Sequence, residues 1–247
     1  MSDSDDVVLA IDAGNTRIKW AVHDGHAWSA SGAIATHESA SLYESLRPAL
    51  PVDRAIASNV AGLQVRANID NACRSADIEV EVIDSRREQL GVTNGYRDAA
   101  QLGSDRWAAL IAAHRGYKGH KLVVNAGTAL TVDALSGDGK FMGGLIVPGP
   151  ALMRRSLDLG TAGLRLSEGV MRGLPRNTAD AIASGSIQAS VGAIARLGLE
   201  MGTHDCPPGR IILSGGAAGE IAAWLPYPVI LQDNLVLDGL IAIARNG

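Results

Sequence analysis

Apolar and polar positions fall into short runs along most of the chain, and their periods predict strands and helices in a recurring order. Residues 7–12 form an apolar run stopped by Asp12-Ala13-Gly14-Asn15, the pattern of a buried strand ending in a turn. Residues 17–23 and 27–34 predict two more strands around the turn signal Asp24-Gly25. A helix is expected over 38–50, closed by Pro48 and Pro51, then a strand at 54–58, a helix at 63–73 and a strand at 79–83. The order is βββαβαβ.

A similar order returns in the second half. Strands are expected at 122–125, 130–135 and 140–147, with Gly127 and Ser136-Gly137-Asp138-Gly139 supplying turns. Helices are expected near 150–157 and over 178–201, where Ile187, Val191 and Ile194 share one face. A strand at 210–214, a helix at 217–224, a strand at 228–231 and a helix at 235–245 complete the pattern. The chain reads as one fold written twice, an N-terminal lobe of residues 1–117 and a C-terminal lobe of 118–247, parted where Gly116 and Gly119 interrupt a basic, polar stretch.

The repeat extends to residues. Asp12-Ala13-Gly14-Asn15-Thr16 after the first strand is echoed by Asn125-Ala126-Gly127-Thr128-Ala129 after its counterpart. Small residues, a glycine and a hydroxyl or amide at such a turn offer backbone N–H groups to a phosphate, and two matched turns facing one another would hold a polyphosphate. Either turn alone is also the ordinary composition of a tight bend. Lys19 is placed to reach phosphates from the adjoining hairpin, although an exposed lysine on an edge strand reads equally as a solvated one. Ser214-Gly215-Gly216-Ala217 offers a third bend, either a nucleotide contact at a helix start or a tight connection. Gly143-Gly144 and Pro148-Gly149-Pro150 read first as packing bends.

Gly103-Ser104-Asp105-Arg106 precedes the apolar residues 107–113. Ser104 as N-cap and Asp105 in the first turn make an ordinary helix start. Arg106 does not suit that reading, because the dipole disfavours a cation there. An Asp–Arg pair can instead act on a substrate, Asp105 accepting an alcohol proton and Arg106 fixing the acceptor with its planar donor fork.

Composition removes other classes. Hydrophobic residues make up 47% and charged residues 19%, which suits a folded chain with a sizeable core. Lys plus Arg total 22 against 26 Asp plus Glu, a net charge of −4 without a basic run, so nucleic acid is not an expected partner. Cys73 and Cys206 form no C-x-x-C pair, which favours a reducing compartment, and the start from Met1 to Asp6, with three Asp and no Lys or Arg, is unlike a signal peptide. No apolar run approaches a membrane span. The expectation is a cytoplasmic protein without membrane contact. No Walker A loop, complete dinucleotide fingerprint, H-E-x-x-H or G-x-S-x-G occurs, and the six histidines show no metal-ligand spacing.

Together these motifs resemble those of the type III pantothenate kinases, in the acetate and sugar kinase, heat-shock ATPase and actin superfamily. The resemblance spans nearly the whole chain and rests on Asp12-x-Gly14-Asn15-Thr16-x-x-Lys19, Gly103-x-Asp105-Arg106, Gly127-Thr128-Ala129-x-Thr131-x-Asp133, Gly143-Gly144-x-Ile146-x-Pro148-Gly149 and Asn177-Thr178. It implies an α/β fold of duplicated ribonuclease-H-like (actin-like ATPase) domains, each a mixed five-stranded sheet with flanking helices. It implies ATP bound by Asp12, Ala13, Gly14, Asn15, Thr16, Arg17, Ile18, Lys19 and Thr128, with Mg²⁺. Asp105 would be the catalytic base, and Tyr96, Gly103, Ser104, Asp105, Arg106 and Thr178 would contact pantothenate near the interface of a homodimer. The implied reaction is ATP-dependent phosphorylation of pantothenate to 4′-phosphopantothenate, the first step toward coenzyme A. Two alternatives are an accessory transcription protein that kept the fold and a small sugar kinase. The family usually has Asp at the position of Asn125, where it helps bind K⁺ or NH₄⁺, so the charge of that cation site is reduced here. The family also often has Pro where Ala99 stands.

Overall fold

The computed structural model describes residues 6–160 and 168–246. The chain divides into two compact units, one drawn from Met1–Tyr117 with Asn234–Gly247, the other from Lys118–Asp233.

In the first unit, β1 (Val8–Ala13), β2 (Arg17–His23) and β3 (Trp28–Ala35) form an antiparallel meander. Leu42–Leu46 is a short α1, β4 is Arg54–Asn59, α2 is Leu63–Ser75 and β5 is Val80–Val82. The strand order is β3-β2-β1-β4-β5, with β4 parallel to β1 and β5 parallel to β4. Alternation divides the sheet's residues between its two faces. Leu9, Ile11, Ala13, Ile18 and Trp20 pack with Leu42 and Leu46 of α1 and with Val65 and Ile69 of α2. The register puts Asp12, Lys19 and Ser58 side by side on the opposite face, against which α3 (Ser104–Gly116) and α7 (Leu235–Asn246) pack.

Between β5 and α3 lies a hairpin absent from the sequence expectation, β6 (Glu88–Gln89) and β7 (Val92–Asn94). Its two turn residues, Leu90 and Gly91, both have positive φ, 51° and 81°. That is the requirement of a type I′ turn, which Asn-Gly or Asp-Gly would have announced and Leu-Gly does not.

The second unit repeats the plan. Its strands are β8 (Lys121–Ala126), β9 (Ala129–Leu135), β10 (Lys140–Pro148), β11 (Arg210–Ser214) and β12 (Val229–Leu231), ordered β12-β11-β8-β9-β10. Reversed, this is the same 3-2-1-4-5 arrangement, with β11 parallel to β8. Its helices are α4 (Pro150–Gly160), α5 (Thr178–Thr203) and α6 (Ala218–Ile221). Ile187 and Ile194 of α5 enter the core with Leu122, Val124 and Val132, with Val191 partly buried beside them.

Three expectations change. The helix over 38–50 is instead a 3₁₀ segment at Thr36–Ser41, the five-residue α1, and a 3₁₀ turn at Arg47–Ala49. Pro48 has no N–H to bond the carbonyl four residues back, so the helix cannot continue through it. Residues 217–224 likewise split into α6 and a 3₁₀ turn. The closing helix α7 packs in the first unit rather than in a lobe of residues 118–247, because Gly239 lets it lie directly on the Ala108 backbone of α3.

Candidate active site

The first turn joins β1 to β2 through Gly14, Asn15 and Thr16. The Gly14 N–H donates to the Arg17 carbonyl (3.1 Å), closing the bend. Thr36, just beyond β3, straps it: its N–H donates to the Thr16 carbonyl (3.0 Å) and its hydroxyl to the Gly14 carbonyl (2.7 Å). Asn15, Thr16 and Arg17 are exposed, whereas Ala13 and Ile18 are core residues whose side chains point away from solvent. Any contribution of Ala13 and Ile18 to a nucleotide is therefore made by backbone.

The second turn is built alike and is one residue shorter. Gly127 N–H donates to the Ala129 carbonyl (3.1 Å), and Gly149, just beyond β10, donates to the Thr128 carbonyl (2.8 Å). By strap and strand register Thr128 is the counterpart of Thr16, and Asn125 that of Asp12. In both turns the glycine N–H closes the bend, so the glycines shape these loops without offering that donor outward. A side chain on Gly149 would collide with the Gly127 and Thr128 carbonyls, and one on Gly215, at φ +100°, with the Ala126 backbone. The glycines at 149 and 215 are thus tight-approach positions around the second turn.

Asp12 lies opposite Lys19 across the β1–β2 ladder and beside Ser58 on β4. Burial and the nearby charge of Asp105 push its carboxyl up to about 7, against the pull of Lys19. Asp105 enters this face from the first turn of α3. Burial raises its carboxyl above the usual range, while the Arg106 N–H, donating to its Oδ1 at 2.8 Å, and the Arg106 guanidinium pull it back. The charge of Asp105 opposes ionisation of Asp12.

The start of α3 differs from expectation in one respect. Gly103, not Ser104, occupies the N-cap, and Ser104 turns its hydroxyl to Ser58 in a buried bond of 2.9 Å. A Cβ on Gly103 would stand 2.5 Å from Asp105 Oδ1, so the bare N-cap makes room for the carboxylate. Arg106 is buried; its Nη1 donates to the Tyr96 hydroxyl (3.1 Å) and its guanidinium lies 5.6 Å from that ring's centroid.

The first unit therefore brings Asp12, Lys19, Tyr96, Asp105 and Arg106 together, while Asn125 and Thr128 belong to the second. Thr178 opens α5 after Asn177, whose side chain caps the Asp180 N–H (2.8 Å). It lines an open cleft of about 890 Å³ with Met153, Arg154 and Pro175. Thr36 and Ser58 escaped the sequence reading, since a lone hydroxyl at a strand end carries no spacing signal.

The sequence model of type III pantothenate kinases matches residues 8–199. The chain belongs to the type III pantothenate kinase family. A type III pantothenate kinase of Aromatoleum aromaticum is 47% identical over 239 residues, 97% of this chain and 98% of that one. Among solved structures, a Baf family protein of Campylobacter jejuni aligns with a TM-score of 0.62 at 18% identity, covering 95% of this chain and 96% of its own. A ROK family glucokinase of Streptomyces griseus aligns with a TM-score of 0.55 at 15% identity, covering 98% and 100%. These likenesses show the fold, that of the actin-like ATPases and sugar kinases, in this type III pantothenate kinase family member.

Proposed function

We propose that this protein transfers the γ-phosphoryl group of ATP to the primary alcohol of pantothenate, forming 4′-phosphopantothenate at the entry to coenzyme A synthesis. Family membership supports the reaction. The observation that carries the mechanism is the carboxylate of Asp105, raised by burial and set at a helix start electrostatically coupled to Asp12. Asp105 accepts the hydroxyl proton as the alcohol oxygen attacks γ-phosphorus and the bond to the β–γ bridging oxygen breaks, leaving ADP. Arg106 and Tyr96, with Gly103, Ser104 and Thr178, orient pantothenate. Residues 12–19 and Thr128 hold the ATP phosphates, with Lys19 offsetting their charge.

Two coupled carboxylates, one with its pKa near neutrality, fit a divalent cation, whose charge relieves their repulsion. Mg²⁺ would be held by Asp12 and by the phosphates of ATP. When bound, Mg²⁺ supplies neutralisation of the transferring phosphoryl group. Asn125, Thr131 and Ser214 share a sheet face and present neutral oxygens, a set suited to K⁺ or NH₄⁺ held without a full counter-charge.

The working form is a cytoplasmic homodimer. Sedimentation of the purified protein checks the dimer. Among the described residues no helix is long and apolar enough to cross a membrane. The deciding experiment is an acceptor screen with Mg-ATP. Phosphorylation of pantothenate but not of hexoses is expected, and the reverse would assign the chain to sugar phosphorylation.

A further inference from the structure

Arg87 takes no part in the proposed chemistry, yet its surroundings are unusually ordered for an exposed arginine. Its Nη1 donates to the carbonyls of Asn94 (2.9 Å) and Tyr96 (2.7 Å), and its Nη2 to that of Arg97 (2.9 Å). One guanidinium thus gathers three carbonyls of the segment that presents Tyr96. A planar donor fork can do this, whereas an ammonium cannot match the geometry.

The segment is braced from both ends. Asn94, buried, accepts the Tyr96 N–H on Oδ1 (3.0 Å) and donates from Nδ2 to the Ala99 carbonyl (3.2 Å). Arg87 itself stands just before the β6–β7 hairpin, which is tied to α3 by Gln89 Oε1 accepting from the fully buried Trp107 Nε1 (3.0 Å). The circuit then closes, because Tyr96 receives Arg106 Nη1 from the same helix. Trp107 and Arg106, adjacent on α3, hold opposite ends of one continuous loop, and Arg87 is its cross-brace.

We infer that Arg87 is a positioning residue for the pantothenate site, holding the 94–97 backbone so that Tyr96 meets Arg106 and the acceptor. The inference rests on the proposed role of Tyr96 and Arg106 in binding pantothenate. It assigns to Arg87 an effect on the acceptor and none on the nucleotide, since no residue of 12–19 touches the Arg87 fork in the bonds described.

The test is steady-state kinetics of the full-length protein with pantothenate and ATP varied separately. Arg87→Ala is expected to raise KM for pantothenate about ten-fold, with KM for ATP within about two-fold of wild type. Arg87→Lys recovers only part of this, and Arg86→Ala, at the exposed neighbour, changes neither constant. Tyr96→Phe also raises KM for pantothenate, and the double variant Arg87→Ala/Tyr96→Phe is little worse than the more severe single one, because both act through the same contact. Should Arg87→Ala not fold, Arg87→Lys is carried alone, with faster amide exchange confined to residues 94–101 as the added readout. Wild-type KM for pantothenate in a folded Arg87 variant, while Tyr96→Phe is impaired, overturns the role of Arg87 and leaves the Tyr96 assignment standing. An unaffected Tyr96→Phe removes that assignment and this inference with it. A rise in both KM values reveals a general structural effect and overturns the positioning role.

Discussion

Asp105 and Asp12 are two buried carboxyls at one face of the first sheet, set apart by their surroundings. Burial raises the Asp105 carboxyl, with the Arg106 N–H and guanidinium opposing the rise, whereas Asp12, buried and beside Asp105, is pushed up to about 7. Asp105→Asn is expected to retain the fold and both substrates while kcat falls roughly a hundred- to ten-thousand-fold, the usual worth of a general base. Wild-type kcat in that variant would take the role from Asp105. Asp12 carries a stability signature of definite sign. Its native pKa lies above the unfolded value, so its contribution to stability is present at acid pH and is lost as pH rises through about 7. Thermal melts of Asp12→Asn should therefore exceed wild type at pH 8, with the gap shrinking toward pH 4, even as activity falls. Gly103→Ala tests the room kept for the carboxylate. Its Cβ would press on Asp105 Oδ1, so kcat should drop about ten-fold in single-turnover measurements with little change in KM for ATP.

At the scale of elements, each of the two glycine-bearing turns depends on a third strand. Thr36 after β3 and Gly149 after β10 bond to the carbonyls of Thr16 and Thr128, so each hairpin carries a turn whose shape is held from outside. Helix α7 shows how much one missing side chain can decide. Any Cβ on Gly239 would enter the Ala108 backbone, which cannot rotate away as a side chain could. Gly239→Val is expected to cost on the order of 2 kcal/mol or more, read as a fall of at least about 4 °C in Tm. An unchanged Tm would show that α3 and α7 have slack the close approach denies. Both ends of α7 are anchored too: Arg245 in its last turn donates to the Gly25 carbonyl (2.8 Å), and Asp238 in its first turn accepts from Trp28 Nε1 (3.3 Å).

At the scale of the molecule, chain order and spatial order part company, because the last helix completes the first unit. A chain ending at Asp233 loses the buried side chains of Leu235, Leu237, Leu240, Ile241 and Ile243. At roughly 2 kcal/mol each this is about 10 kcal/mol, comparable with the whole stability of a domain. Amide exchange is expected to show β1, β4 and α3 unprotected in that variant, with β8 and β11 still protected; equal loss in both units would refute the division. Local composition was enough to announce the duplication, both turns, Asp105 at a helix start and the long α5, because strand and helix periods and glycine-bearing bends are short-range properties. Other features depended on contacts distant in sequence. Leu90 accepts a positive φ that its identity does not advertise, Ser104 turns from capping to bond Ser58, and α7 seats on α3 from more than a hundred residues away. A residue's period reports which way it faces along its own element, while its partner across the fold is chosen by packing and hydrogen-bond satisfaction, which only the assembled tertiary structure decides.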